Sequence, residues 1–323
     1  MHVSLKWLVG ALAACCLMVS GTLSAQEEAP ATEGHEGHEG WLIDFEEAKQ
    51  TAENENKDLL IEFTGSDWCP PCKQLYANVI SNDIFKQQAP EHFTLLLLDN
   101  PRDKSHQSEE EQAQYRRLAA EYQVRGVPTI LLCDTEGVPY ASMVGYGGTA
   151  AQAYVDNLKE LTQVRVVRDE NFAAADKASG AERAQLLAAG LAKIDDALCM
   201  TIYKEKVDEI MSLDPQNEAG ASGRFVVMAK KKDVEAAIAA IRRDAQTAGP
   251  EATVTKLDEL AGEYTAEGEE ELRQMILFAK ADSLFAVDKE KSKAALLEAQ
   301  AVAPESQIGR QISTILERFF GNE

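Results

Sequence analysis

Leu59-Leu60-Ile61-Glu62-Phe63-Thr64-Gly65-Ser66-Asp67-Trp68-Cys69-Pro70-Pro71-Cys72 is the stretch whose reading decides the fold. An apolar run of strand length stops at a short polar turn, and a helix-like segment runs on from Lys73 toward Gln88. Two thiols separated by two residues therefore stand at the start of a helix that follows a strand. A thiol there meets unpaired backbone N–H groups and the positive end of the helix dipole, which favour the thiolate. Cys69 is the candidate attacking thiolate. Cys72, one turn further in, is the candidate resolving cysteine, placed to close an intramolecular disulfide and release a bound substrate. Pro70 and Pro71 stiffen the turn and remove two backbone donors from it.

A Cys-x-x-Cys pair alone also occurs in zinc sites, so a second stretch carries equal weight: Tyr122-Gln123-Val124-Arg125-Gly126-Val127-Pro128-Thr129. Taken together and in this order, each beside a strand-like run, the two stretches resemble the thioredoxin superfamily over roughly residues 41–161. The resemblance implies a central mixed sheet flanked by helices. It also implies a cis-proline at Pro128 that, with Val127, faces the dithiol and docks substrate backbone, and a Trp68 ring that shields the dithiol and shapes the substrate surface. Members of the superfamily carry a buried acid in the first core strand that moves the proton of the inner thiol. Glu62 is the acid in the strand interior that fits, although it stands one position further from the first cysteine than is usual. Asp67 is the alternative, and a rim carboxylate facing water is the other reading of Glu62. The lysine that usually partners this acid is missing: Phe93 to Asp99, the corresponding strand, carries none. The long segment from Asn100 to Tyr122 is more similar to thioredoxin-like domains of exported thiol:disulfide interchange proteins than to ordinary thioredoxins.

The remaining elements of this part follow from periodicity and turn chemistry. A helix is expected over Phe45 to Asn54, with Asp44 as its N-cap, and the first strand over Asp58 to Thr64, with Leu60 and Glu62 on one face and Leu59, Ile61 and Phe63 on the other. Phe93 to Asp99 is apolar throughout, the pattern of a central strand buried on both faces. A helix over Ser108 to Tyr122 would turn Ala113, Leu118, Ala119 and Tyr122 inward. Thr129–Cys133 and Tyr140–Val144 pair across Asp134-Thr135-Glu136-Gly137, and a closing helix runs from Ala150 to about Leu161. Gly145-Tyr146-Gly147-Gly148 lacks the Lys-Ser/Thr of a phosphate loop and reads as a close backbone approach near the dithiol.

Residues 1–25 read as a secretory signal: Lys6, an apolar run from Trp7 to Val19, then small residues up to Ala25. A lipoprotein signal ending at Cys15 is the minority reading, because the apolar run continues past it. An exported periplasmic or extracytoplasmic protein is expected, with no membrane span in the mature chain, since the run is shorter than the ~20 residues a span needs. Of six cysteines, four lie beyond this leader. Cys133 in a strand-like run and Cys199 at the end of an apolar helical stripe read as buried thiols, and a bridge between them stays open. Residues 26–40, ending Glu33-Gly34-His35-Glu36-Gly37-His38-Glu39-Gly40, read as a flexible acidic linker; His35 and His38 without a rigid frame make a poor metal site.

The net charge of −22 argues against nucleic acid or an anionic membrane as partner. The expected organisation is a thioredoxin-like α/β domain over 41–163 and an all-α helical-hairpin domain over 164–323. Leu187, Leu191, Ile194 and Leu198 form one stripe there, and Ile308, Ile312, Ile315 and Phe319 another, while Pro215, Pro250 and Pro304 punctuate. Degenerate tetratricopeptide-like repeats and a plain bundle both fit. The expected function is thiol-disulfide oxidoreductase chemistry on protein thiols or disulfides, without metal or organic cofactor, because the dithiol carries the two electrons. Helices of this kind would dock a partner protein. The alternatives are an assembly factor that uses the thioredoxin-like part as a scaffold, and metal delivery through Cys69, Cys72, His35 and His38.

Overall fold

The computed structural model describes residues 38–321; the expected signal segment, Cys15, His35 and most of the expected linker lie outside the described residues. Helix α1 (Phe45–Glu55) starts where Asp44 accepts a hydrogen bond from the Glu47 N–H and stops at Asn56, whose left-handed backbone ends the helix. Strand β1 (Asp58–Thr64) follows, then α2 (Pro70–Leu75), which widens into a π-helical turn over Tyr76–Ile80. The expected helix from Lys73 to Gln88 is thus in two parts, because Asn82 caps a new helix, α3 (Asp83–His92). Strand β2 (Phe93–Asp99), α4 (Glu109–Glu121), β3 (Thr129–Cys133) and β4 (Pro139–Val144) complete the sheet layer.

The sheet order is β2-β1-β3-β4, with β1 parallel to β2 and antiparallel to β3, and β3 antiparallel to β4. This corrects the placement of β2: it is an outer strand. It is buried throughout nonetheless, because Leu42 adds a parallel bridge along its outer side, hydrogen-bonding Leu95 and Leu97. The period-2 alternation of β1 sends Leu60 into a core shared with Leu75, Val79, Phe85, Tyr154 and Leu158, and Leu59, Ile61 and Phe63 into a second core with Phe45, Leu118 and Tyr122. Within α4, Ala113 is exposed rather than inward. Gln114 lies on the inner side instead, where it accepts from the Phe45 N–H and donates to the Ile43 carbonyl.

Helix α5 spans Ala151–Ala175, so the expected domain boundary at 163/164 falls inside one continuous helix. Its first turns pack on the sheet and its last turns on α6 (Gly180–Leu191), α7 (Asp196–Cys199) and α8 (Lys204–Leu213). Arg168 of α5 clasps the two halves together: its guanidinium donates to Asp134 at 2.8 Å and to the Tyr203 hydroxyl at 2.9 Å, and that hydroxyl donates to the Pro139 carbonyl. Helix α9 (Gly223–Glu263) is broken at Gly249, whose φ of 81° no L-residue adopts readily, and Pro250 starts its second part. Helices α10 (Glu270–Phe285), α11 (Lys289–Val302) and α12 (Gln307–Phe320) close the chain around a core of Ile276, Leu277, Leu296 and Ile312. Phe319, expected on the inner stripe, is exposed. No helix among the described residues is long and apolar enough to cross a membrane.

Candidate active site

The dithiol is organised by the end of β1. The turn at 65–68 brings Cys69 to the N-cap position of α2, with the Cys69 N–H on the Gly65 carbonyl at 2.9 Å. Cys69 Sγ accepts from the Cys72 N–H at 3.3 Å, as an N-cap oxygen would. Cys69 and Cys72 are joined by a disulfide, their Cα atoms 5.3 Å apart, and each is 2% exposed. Pro70 at the first helical position loses no useful donor, since the first N–H groups of a helix have no partner within it.

The longer turn is braced from β2 and the loop after it. Asp99 accepts from the backbone N–H and hydroxyl of Ser66, and the Trp68 indole N–H donates to the Asn100 carbonyl at 2.8 Å. Asp67 accepts from the backbone N–H groups of Arg102 and Asp103, which hold its carboxyl below the usual range. That exposed, occupied carboxylate is not the buried acid. Gly65 leaves room for Trp68: a Cβ there would sit 2.5 Å from the indole ring. Trp68 itself is 36% exposed beside the buried sulfurs.

The Val127–Pro128 peptide bond is cis. The Val127 carbonyl oxygen lies 3.4 Å from Cys69 Sγ. The Pro128 carbonyl accepts from the Gly145 N–H at 2.8 Å, and the Thr129 hydroxyl donates to the Gly126 carbonyl, so the loop is held from both sides. Gly145 has a φ of 79°, a backbone that favours glycine, but a Cβ at Gly145, Gly147 or Gly148 would meet nothing within 4 Å, so these glycines serve the turn and not the close approach expected of the loop.

Glu62 is 1% exposed and lies on the Leu60 face of β1, opposite Leu97 and Ile130 in the two neighbouring strands. It is therefore not a rim carboxylate. Its Oε2 has no hydrogen-bond partner among the described residues, and neither does the buried hydroxyl of Tyr154 on α5. Burial, reinforced by the Glu62 charge, pushes the Tyr154 phenol up. The residue sequence reasoning missed is His38. Assigned to a flexible linker, it is 8% exposed, and its Nε2 stands 3.6 Å from Glu62 Oε2. Its ring packs against Trp41 at 5.3 Å and Tyr76 at 5.1 Å. The signal that places it is the apolar Trp41-Leu42 pair just beyond, which already belongs to the fold.

The other two thiols are of a different kind. Cys133 and Cys199 are free and buried, and no bridge joins them. Burial, with the neighbouring Asp134 charge, pushes the Cys133 thiol well up, and burial raises that of Cys199 to about 11.

A mixed four-stranded sheet, a disulfide at a helix start and, against its first sulfur, the carbonyl of the residue before a cis-proline define a thioredoxin-like thiol-disulfide oxidoreductase. The comparisons with known proteins agree. The Thioredoxin-like domain family model matches residues 45–159. The chain is 32% identical over 121 residues to the disulfide bond reductase DsbH of Chlamydia pneumoniae, covering 38% of this chain and 72% of that protein. It is 22% identical over 151 residues to the thioredoxin-related protein DsbJ of the same organism, covering 46% and 43% respectively. A solved structure of DsbH oxidoreductase aligns at 30% identity over 38% of this chain and 83% of that one, with a TM-score of 0.36. The chain belongs to the thioredoxin superfamily.

Proposed function

We propose that this chain is an exported disulfide reductase acting on protein disulfides. Cys69 attacks the substrate disulfide, and Cys72 resolves the mixed disulfide. Glu62 takes the Cys72 proton, the cis Val127–Pro128 segment holds the substrate backbone, and Trp68 forms a wall of the substrate surface. The observation that carries this reading is the position of Cys69 Sγ between the Cys72 N–H at 3.3 Å and the Val127 carbonyl oxygen at 3.4 Å. A thiolate at that N-cap is stabilised by the helix start. A substrate strand laid along residue 127 brings its sulfur to the same point by backbone pairing, as in β-strand addition. The reductive direction follows the name of the relative matched over most of its length, a disulfide bond reductase. Export is supported by the Lys6, Trp7–Val19, Ala25 pattern.

The helical half is proposed to hold the substrate protein beyond its disulfide. A cleft of about 330 Å³ joins Arg125, near the cis-proline, to Met200, just after α7, and to Met228 and Lys231 of α9. Methionine suits such a surface because it adapts to different partners.

The deciding experiment is the equilibrium potential of the Cys69/Cys72 couple against a dithiothreitol series. A value near that of thioredoxin, about −270 mV, supports a reductase; a value near about −120 mV would make the protein a disulfide donor instead. A pair that never exchanges would remove the reading altogether.

A further inference from the structure

The buried acid of this site has no lysine beside it, and the structure puts an imidazole in that position. Glu62 and His38 are 1% and 8% exposed. His38 Nε2 and Glu62 Oε2 face each other at 3.6 Å, and neither has another hydrogen-bond partner among the described residues. A buried carboxylate without a partner is costly, and such groups are normally satisfied. Two adjacent buried groups of complementary chemistry, each unsatisfied, therefore call for a shared explanation. Closing the gap by about 0.5 Å would make it a charge-assisted hydrogen bond.

The His38 ring is fixed in place. It lies between Trp41 and Tyr76, Tyr76 opens the π-helical turn that extends the Cys72 helix, and the His38 carbonyl accepts from the Trp41 N–H at 3.0 Å. Leu42 then anchors the segment to β2. The titratable and charged groups that face the pair come from each element packed on it. They are the Tyr154 phenol from α5, Tyr76 from the π turn, and Glu39, whose charge is felt at His38 and is paired with Lys86 of α3. Strand β2 contributes Leu95 and Leu97, so no cation comes from that side. Glu62 shares its face of the sheet with Leu60, on which Leu75 packs, one turn beyond Cys72.

We propose that His38 is the positioning residue of the reaction: it shares a proton with Glu62 and so sets when Glu62 can accept the proton of Cys72. This rests on the oxidoreductase reading above. In the resolving step the Cys72 proton passes to the Glu62 carboxylate and the Cys72 thiolate attacks Cys69 Sγ. The Cys69–Cys72 bond forms and the bond from Cys69 to the substrate sulfur breaks. That sulfur leaves as a thiolate and takes a proton from solvent. The dithiol is oxidised by two electrons, the substrate disulfide is reduced by the same two, and the proton held by the pair returns to solvent. A group that can hold or release a proton here makes this step sensitive to pH in a way that a permanently charged lysine would not.

The test uses the full reduced chain with oxidised glutathione and follows attack by Cys69 and release by Cys72 separately, from pH 5 to 8.5. His38→Gln is expected to leave attack within about twofold, slow release about tenfold at pH 7, and remove one inflection from the release profile. In a Glu62→Gln background the same substitution should add nothing, because His38 acts only through Glu62. A His38→Gln profile that superimposes on wild type, or an equal slowing in both backgrounds, overturns the proposal. Should His38→Gln fold poorly, the ring resonances of His38 in the reduced protein decide. Their titration should move to lower pH in Glu62→Gln, since a carboxylate favours the imidazolium, and an unmoved titration overturns the pairing. A wild-type dithiol that does not exchange overturns both readings, whereas His38→Gln protein that exchanges with the wild-type profile overturns this one alone.

Discussion

The two ends of strand β1 carry the same kinds of residue and use them in opposite ways. At its start stand an acid, Asp58, a tyrosine, Tyr140, and a cysteine, Cys133. Near its end stand Glu62, Tyr154 and the dithiol. At the first end the acid is engaged from two sides: the Tyr140 hydroxyl donates to Asp58 at 2.6 Å and Arg165 ion-pairs with it at 3.1 Å, although Arg165 Nε makes no hydrogen bond among the described residues, and the Cys133 thiol is held protonated by burial. At the second end Glu62 and Tyr154 each leave a buried oxygen without a hydrogen bond among the described residues. Both acids point to the same face of one strand, four residues apart, so neither burial nor the alternation of the strand separates them. Satisfaction does. A satisfied buried network fixes structure, and an unsatisfied one is free to gain or lose a proton during a reaction.

The contrast is sharpest between the thiols. Cys69→Ser should abolish attack on a peptide disulfide and Cys72→Ser should halt the reaction at the mixed disulfide, whereas Cys133→Ala and Cys199→Ala should leave the rate of both steps within about twofold, because a buried protonated thiol is inert. Alkylation of the reduced protein should label Cys69 and Cys72 under native conditions and Cys133 and Cys199 only after unfolding. Fast native labelling of Cys133 or Cys199 would erase the distinction between the two ends.

Stability should change in opposite directions for the two acids. Asp58→Ala removes the acceptor of Tyr140 and the partner of Arg165, and should cost about 3 kcal/mol in urea unfolding. Glu62→Leu exchanges an incompletely paired carboxylate for an apolar side chain in an apolar core, and should stabilise the fold by about 1 kcal/mol while impairing the release step. Equal destabilisation by both would mean that Glu62 is a structural acid after all.

Much of this was legible in the residues. The strand Asp58–Thr64, the hairpin strands and the N-cap at Asp44 follow from period-2 alternation and capping chemistry, which are local and which the tertiary structure here does not override. The dithiol and Val127–Pro128 were visible because each has a fixed local pattern. What escaped depends on contacts between distant parts of the chain. His38 sits in a glycine- and glutamate-rich run that carries no periodicity, and only its packing on Trp41 and Tyr76 reveals it. Strand β2 reads as central because an outer strand covered by one residue, Leu42, is as apolar as an inner one. The helix α5 has no break at 163 because Val164 packs on both the sheet core and the helical core, a double burial no linear pattern displays.

The tyrosines give a smaller test of the same contrast. Tyr140→Phe leaves Asp58 Oδ2 without its donor and should cost about 2 kcal/mol. Tyr154→Phe removes a buried hydroxyl that has no hydrogen-bond partner among the described residues, and should change stability by less than about 0.5 kcal/mol. Thermal or urea unfolding of the two variants reads this directly, and a costly Tyr154→Phe would place a hidden acceptor beside Glu62.

The smallest effect is a pH dependence with an unusual sign. Burial, opposed by the Tyr140 hydrogen bond and the Arg165 charge, raises the Asp58 carboxyl above its ordinary value of 3.8. The native state therefore binds this proton more tightly than the unfolded chain does. The stability Asp58 contributes is fully present below 3.8 and is lost as pH rises through its folded value. Carboxyls held low, such as Asp67 by the Arg102 and Asp103 N–H groups, act in the reverse sense and lose their contribution as pH falls. The whole-protein curve mixes both, so the quantity to follow is the difference in unfolding free energy between wild type and Asp58→Asn, where the amide oxygen still accepts from Tyr140. That difference should move against wild type as pH climbs from about 3.8. A difference that stays flat with pH would mean that the Arg165 charge and the Tyr140 hydroxyl offset the burial of Asp58 in full, and that this end of the strand holds its acid ionised at no cost in proton affinity.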